Sequence, residues 1–169
     1  TEEIIAICKA IAPTFGGINL EDISAPRCVE IERRLIEELD IPVFHDDQHG
    51  TAIVVTAALI NSMKLVNKKP EELKVIVSGT GAAGSSIIRM LLKLGIKEIY
   101  GFNINGTIIK EDASKYDFLT KELSEIVNPY SKRTTLAEEI VGSDVFIGVS
   151  APKILTKEMV LSMNKNAIV

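Results

Sequence analysis

No tryptophan occurs in this 169-residue chain, aromatic residues make up only 5% of it, and it has two cysteines and two histidines. Each scarcity closes off a class of function. Cys8 and Cys28 cannot build a disulfide framework and leave no Cys/His cluster for a soft metal. Cys28 falls on the apolar side of a helix pattern, so it reads as a small buried hydrophobe. A basic surplus is also missing, since 19 Lys and Arg stand against 23 Asp and Glu, a formal net charge of −4. Nucleic acid is therefore not an expected partner, because binding to its phosphate backbone depends on clustered positive charge. Long apolar runs are lacking too. The most apolar segment, Ala52 to Ile60, is interrupted by Thr56 and falls short of the roughly 18 residues of a membrane span. With no membrane partner, initiator methionine or signal peptide in view, a cytoplasmic location is the expectation.

What is present is a regular alternation of helix and strand. The chain enters an amphipathic helix at Thr1 and ends on Ala167-Ile168-Val169, which reads as a strand just begun, so an internal excerpt of a longer protein is expected. Cys28, Ile31, Leu35 and Leu39 draw one apolar stripe along a helix. Pro26 suits its first turn, and Glu30, Glu32, Arg33, Arg34, Glu37 and Glu38 read as its solvated side. Ile41 to Phe44 is a short strand. Gly50 to about Val66 is apolar nearly all round, which predicts a buried helix. Leu73 to Ser78 is a β-branched strand. A helix follows from about Ala82 to Leu94, ended by Gly95, and then a strand from Glu98 to Phe102. Thr135 and Glu138 form a capping-box pattern. Asp144 to Val149 is another buried strand, and Thr156 to Met163 a last helix.

Two stretches carry chemistry. The first is Phe44-His45-Asp46-Asp47-Gln48-His49-Gly50. Adjacent carboxylates repel and raise each other's pKa, and a divalent cation is one way to relieve this. A second acidic pair, Glu21-Asp22, lies upstream in a Gly-flanked loop. Together they suggest an all-oxygen site for Mg²⁺ or Mn²⁺. Plainer readings exist. Asp46-Asp47 could cap the following helix, and Glu21-Asp22 could be a solvated helix start. His45 and His49 are expected to hydrogen-bond beneath the loop, not to ligate metal.

The second stretch is Gly79-Thr80-Gly81-Ala82-Ala83-Gly84, a G-x-G-x-x-G run leaving a strand and opening a helix. Gly79 permits the tight turn, Gly81 lets backbone approach a pyrophosphate, and Gly84 allows close helix-on-strand packing. The helix N-terminus then meets the phosphates. The acidic residue expected at the end of the second strand, where it would accept from the ribose, is replaced by Asn103. Asn103 lacks the charge that repels a 2′-phosphate, and no Arg stands beside it, so NAD against NADP is open.

At this point the residues match a family. Gly17 to Asp22, Ile41 to Ala52, and Gly79 to Gly84 closely resemble the bacterial and archaeal malic enzymes, and the likeness runs almost continuously from about Gly16 to Val169. The resemblance implies oxidative decarboxylation of L-malate to pyruvate and CO₂ with NAD or NADP and Mg²⁺ or Mn²⁺. It implies Glu21, Asp22 and Asp47 as metal ligands and Asp46 in the catalytic pocket. Gly79, Thr80, Gly81, Ala82, Ala83, Gly84 and Asn103 would serve the dinucleotide. It places a catalytic Tyr and Lys upstream of Thr1 and substrate-binding Asn residues beyond Val169. The expected architecture is α/β: part of a substrate- and metal-binding domain over residues 1–50, then a Rossmann-type, mostly parallel sheet flanked by helices over 51–169. A homodimer or larger homo-oligomer is expected. Two alternatives stay open: another NAD(P)-dependent dehydrogenase of similar plan, and a non-catalytic nucleotide-sensing module.

Overall fold

A computed structural model describes every residue from Thr1 to Val169. The N-terminal part pairs two helices with two short strands. These are α1 (Glu2–Ile11), β1 (Ile18–Leu20), α2 (Arg27–Glu38) and β2 (Val43–His45). β1 and β2 run parallel, with Ile18 opposite Val43 and Leu20 opposite His45. The stripe read from the sequence is the buried side of α2: Ile31 and Leu35 pack against Ile5, Cys8 and Leu20. Each such side chain contributes roughly 1.5–3 kcal/mol by leaving water. Ion pairs Lys9–Glu38 and Arg34–Glu2 join α1 to α2 at the surface. Cys28 is fully buried, and burial is the main reason its thiol pKa is pushed up, with Glu32 and Asp47 adding to the rise.

A π-helical turn, Asp46–Gly50, runs straight into α3 (Thr51–Val66). Then follow β3 (Lys74–Ser78), α4 (Ala82–Leu94), β4 (Glu98–Asn103), β5 (Gly106–Thr107), α5 (Phe118–Ser124), α6 (Leu136–Glu139), β6 (Val145–Gly148) and α7 (Lys157–Ser162). The second sheet has the order β5-β4-β3-β6. β3 is central and parallel to both β4 and β6, while β5 is an antiparallel edge strand. Parallel strands need helical crossovers, and these cover both faces. Val75 and Val77 join a core with Leu59, Ile87, Ile88 and Leu91 from α3 and α4. Ile76 points the other way, into a cluster with Tyr100, Phe146, Ile140 and Met163. A helix-flanked, mostly parallel sheet is what the alternation of elements predicts.

The element ends follow from local chemistry. Gly95 closes α4 in the left-handed region, φ 104°, its N–H reaching Leu91 and Leu92 carbonyls. Thr135 and Glu138 form the reciprocal capping box at α6. At the N-terminal edge of the sheet, Asp144 accepts from Lys68 Nζ at 2.8 Å, Lys74 N at 2.9 Å and Asn164 Nδ2 at 3.0 Å. Burial alone would raise its pKa, but these donors outweigh burial and hold it below the ordinary value. The closing residues form a single parallel bridge, Ile168 to Val145, in place of a full strand.

Helix α3 departs from expectation. Ala52, Thr56, Leu59 and Met63 are buried, yet Val54 is 63% and Leu65 87% exposed. The reason is geometric: α4 and the sheet cover one side of the helix only. With the preceding turn it forms a continuous stretch, Asp46–Val66, of 21 residues. By length and composition alone that stretch could cross a bilayer, a test that core helices of folded domains also pass.

Candidate functional site

Two loops meet at the C-terminal ends of the strands, where α/β sheets place their ligand clefts. The first is the glycine turn between β3 and α4. Gly79 has φ +101°, and a Cβ there would lie 2.8 Å from the Ser150 nitrogen and the Val149 carbonyl. A Cβ on Gly84 would run into the Gly79 carbonyl, so α4 could not seat on β3. Gly81 differs. The nearest atom to a Cβ there is Ala25 Cβ at 3.9 Å, so the protein leaves that space open. The first backbone bond of the helix is Ser85 N–H to the Gly81 carbonyl at 3.0 Å, and no side chain caps the N-terminus. The first-turn N–H groups are therefore free beside the open space, and the first turn holds no acidic residue. This cradle fits the pyrophosphate of a dinucleotide. Thr80 is buried, its methyl 3.2 Å from where a Gly101 Cβ would stand. Ser78 and Ser150 hydroxyls lie 3.1 Å apart and join β3 to the loop after β6. At the end of β4, Asn103 accepts from Asn105 N–H at 2.8 Å.

The second loop system is acidic. Parallel pairing of β1 and β2 sends Glu21-Asp22 and Asp46-Asp47 off the same edge. Asp47 Oδ2 accepts from Asp22 N–H at 2.9 Å, with Asp22 in the left-handed region at φ 57°. Glu21 turns instead to Asn19 Nδ2 at 2.8 Å. Asp46 folds back over Gly50, occupying the place a Cβ would need there. Neither the π turn nor α3 has a side-chain cap, so the capping alternative for Asp46-Asp47 is not what forms. The structure thus brings Asp22 and Asp47 together and leaves Glu21 and Asp46 pointing elsewhere. Nowhere do three or more His, Cys, Asp or Glu side chains gather around one point. Glu21 and Asp47 each take a neutral N–H donor in place of a shared cation. In kind and in loop placement the donors suit a hard divalent cation: all are oxygens on two adjoining loops.

Beneath the acidic loop the structure corrects two expectations. Glu32, read as part of a solvated charge run, is only 4% exposed. It lies 2.9 Å from His49 Nε2 and so fastens α2 to the π turn. His49 therefore does hydrogen-bond below the loop. His45 does not: it is fully buried, and neither ring nitrogen has a partner. Its sequence neighbours, an apolar strand and two carboxylates, gave no sign of that isolation.

The two loop systems touch. Ala25, which follows Glu21-Asp22 by a few residues, is the neighbour of Gly81. Ile23 and Ala82 pack around the buried Cys28, Val29 and Leu119. Arg33 of α2 grips Glu122 of α5 through two bonds of 2.8 Å, and Arg89 of α4 adds a third at 2.7 Å. The hydrogen bond from Arg33 is the main reason Glu122 sits below the usual carboxylate pKa. Sequence spacing held no signal for this three-helix clasp.

Comparison with known proteins points one way. Residues 59–169 match the family model of the alanine dehydrogenase/PNT C-terminal domain, and residues 1–36 match that of the malic enzyme N-terminal domain. The chain is 54% identical over 169 residues to an NAD-dependent malic enzyme of Geobacillus stearothermophilus, covering 100% of this chain and 35% of the relative. It is 44% identical over 170 residues to an NADP-dependent malic enzyme of Haemophilus influenzae, covering 99% and 22%. The crystal structure of an NAD-dependent malic enzyme from Thermotoga maritima superposes with a TM-score of 0.94 at 46% identity, covering 99% of this chain and 45% of that one. The chain thus spans less than half the length of each of these relatives.

Proposed function

This chain belongs to the malic enzyme family, and from that premise we propose that the complete protein oxidises L-malate with NAD(P) and releases CO₂ to leave pyruvate. One observation carries the proposal: the open phosphate cradle at Gly81 abuts the segment that carries Glu21 and Asp22. A hydroxy acid held at the acidic loops would therefore lie beside a dinucleotide held at the glycine turn. Proximity of that kind is what hydride transfer needs, since reacting atoms must come within about 3–3.5 Å.

Roles follow by position. Gly79, Gly81 and Gly84 shape the turn, and the first-turn N–H groups of Ala82, Ala83 and Gly84 receive the phosphates. Glu21, Asp22 and Asp47 would hold Mg²⁺ or Mn²⁺ through the carboxylate oxygens not used in the hydrogen bonds to Asn19 and to the Asp22 N–H. The ion would withdraw electrons from the 2-oxo acid formed on oxidation and so assist loss of CO₂. Asp46, exposed at the loop, would lie in the catalytic pocket. The tyrosine and lysine of the acid/base set would come from outside these residues. On this view residues 1–50 belong to the substrate- and metal-binding domain and 51–169 to the dinucleotide-binding domain. The protein would act in the cytoplasm as a homodimer or larger homo-oligomer, without membrane or nucleic acid.

The test is a steady-state assay of the complete protein with malate, each nicotinamide coenzyme, and Mn²⁺ supplied or chelated. Coenzyme reduction with pyruvate formation, lost on chelation and restored by Mn²⁺, is expected. Inert malate alongside turnover of a different hydroxy acid would reject the proposal.

A further inference from the structure

The π turn that carries Asp47 is sparsely bonded. Of the six buried side-chain polar atoms without a hydrogen-bond partner, four belong to Glu32, His45 and Gln48, in or next to this turn. His45 is fully buried and Gln48 is 3% exposed, yet the side-chain nitrogens of both stand without partners. They bracket Asp46 and Asp47 and tie neither in place. The side chains of the turn make two hydrogen bonds. Asp47 Oδ2 accepts from the Asp22 N–H, and His49 Nε2 donates to Glu32 Oε2 at 2.9 Å.

The second bond is the unusual one. Glu32 lies on the buried side of α2, with Val29, Ile31 and Leu35. A carboxylate withdrawn from water costs free energy unless it is hydrogen-bonded, and His49 is the only hydrogen-bond partner Glu32 has. An ionised carboxylate only accepts, so Nε2 carries the proton and the ring is held in one orientation. The ring also meets Phe44 of β2, with centroids 5.5 Å apart and planes tilted by 48°. His49 is thus anchored to α2 and to β2, and only Gln48 separates it from Asp47. Fixing His49 therefore limits where Asp47 can present its oxygens.

We infer that Glu32 is a positioning residue for the divalent cation: acting through His49, it holds Asp47 where its free oxygen can meet the ion. The inference rests on the metal reading of the acidic loops. The experiment titrates the complete protein with Mn²⁺ by calorimetry and with NADH by nicotinamide fluorescence. Glu32→Ala and His49→Ala should each weaken Mn²⁺ binding by about tenfold, the usual scale for losing the partner of a metal ligand. The double variant should lose no more than either single one, because both break the same link. Glu32→Gln keeps an acceptor for the His49 N–H and should stay within about threefold of the wild type. NADH affinity should hold throughout, which separates positioning from general damage to the fold. Should Glu32→Ala fail to fold, Glu32→Gln and His49→Ala supply the same contrast. Mn²⁺ affinity unchanged in the alanine variants overturns the inference. So do losses that multiply in the double variant, a Gln substitution as harmful as Ala, or an equal loss of NADH. A wild type that binds NADH but takes no Mn²⁺ removes the metal reading itself, and this inference with it.

Discussion

The two loops that meet at Gly81 and Ala25 are built on opposite principles. The glycine turn is made of backbone. Its shape is set by what cannot fit: a Cβ at Gly79 or Gly84 would strike main-chain atoms, and the N–H groups of α4 point outward whatever is bound. The acidic loops are made of side chains. Their carboxylates spread to Asn19, to the Asp22 N–H and over Gly50, and no three of them share a point. A site formed from main-chain donors is complete before its ligand arrives. A site formed from like charges needs an opposite charge to make their convergence favourable. In this molecule the glycine turn owes its shape to main-chain packing, whereas the acidic loops owe theirs to side-chain contacts.

Breaking the preformed half should be the costlier act. Gly79→Ala forces a side chain into a left-handed conformation against Val149 and Ser150. Stability should fall by about 1–3 kcal/mol, read by thermal unfolding, and NADH binding should disappear. Asp47→Asn attacks the other half alone. Mn²⁺ affinity by titration calorimetry should fall by about a hundredfold or more, since losing even an outer partner of a ligand costs roughly 10–100-fold. Turnover should go with it, and NADH affinity should stay. Unchanged Mn²⁺ affinity would remove Asp47 from the metal site.

Glu32→Ala tests whether the acidic loop depends on its buried strut. The variant strands His49 and should lose about 1–3 kcal/mol of stability. Mn²⁺ affinity should weaken by about tenfold, and the glycine turn should keep its NADH affinity. Equal weakening of both ligands would show that the two loops respond as one. The smallest effect concerns the clasp between them. Glu122 titrates below its ordinary value, chiefly because of the Arg33 hydrogen bond. The stabilisation it gives is therefore complete above the unfolded-state pKa and is lost as pH falls through the folded-state value. Glu122→Gln should lower the melting temperature slightly near neutrality and flatten its fall on acidification. The clasp is partly exposed, so no more than about 0.2–1 kcal/mol is involved.

The same contrast explains what the sequence made legible. β3, the glycine run, the Gly95 cap and the Thr135–Glu138 box were readable because each depends on residues adjacent in the chain. The strand pair β1–β2 was half visible: β2 followed from Ile41 to Phe44, whereas β1 has only three residues and needs a partner to exist. β5 has two residues and is defined by its pairing with β4. Glu32 was misread because periodicity assigns a charge to the wet side unless something distant claims it, and His49 is 17 residues away. α3 was misread for the converse reason: composition reports that a helix is apolar, not how much of it this chain covers. Family resemblance named Glu21, Asp22 and Asp47, but their orientation follows from hydrogen bonds to Asn19 and the Asp22 N–H, which residue spacing does not encode.

The placing of Ala25 beside the open space at Gly81 has a mechanical side. The segment from Ile23 to Pro26 lies between both loops: it follows Asp22, its Ala25 borders the open space over Gly81, and it leads into α2. Any movement of Asp22 toward a cation would pull on that segment and so on the space over Gly81. A shift at Asp22 would therefore reach the clearance over Gly81 through a single short piece of chain.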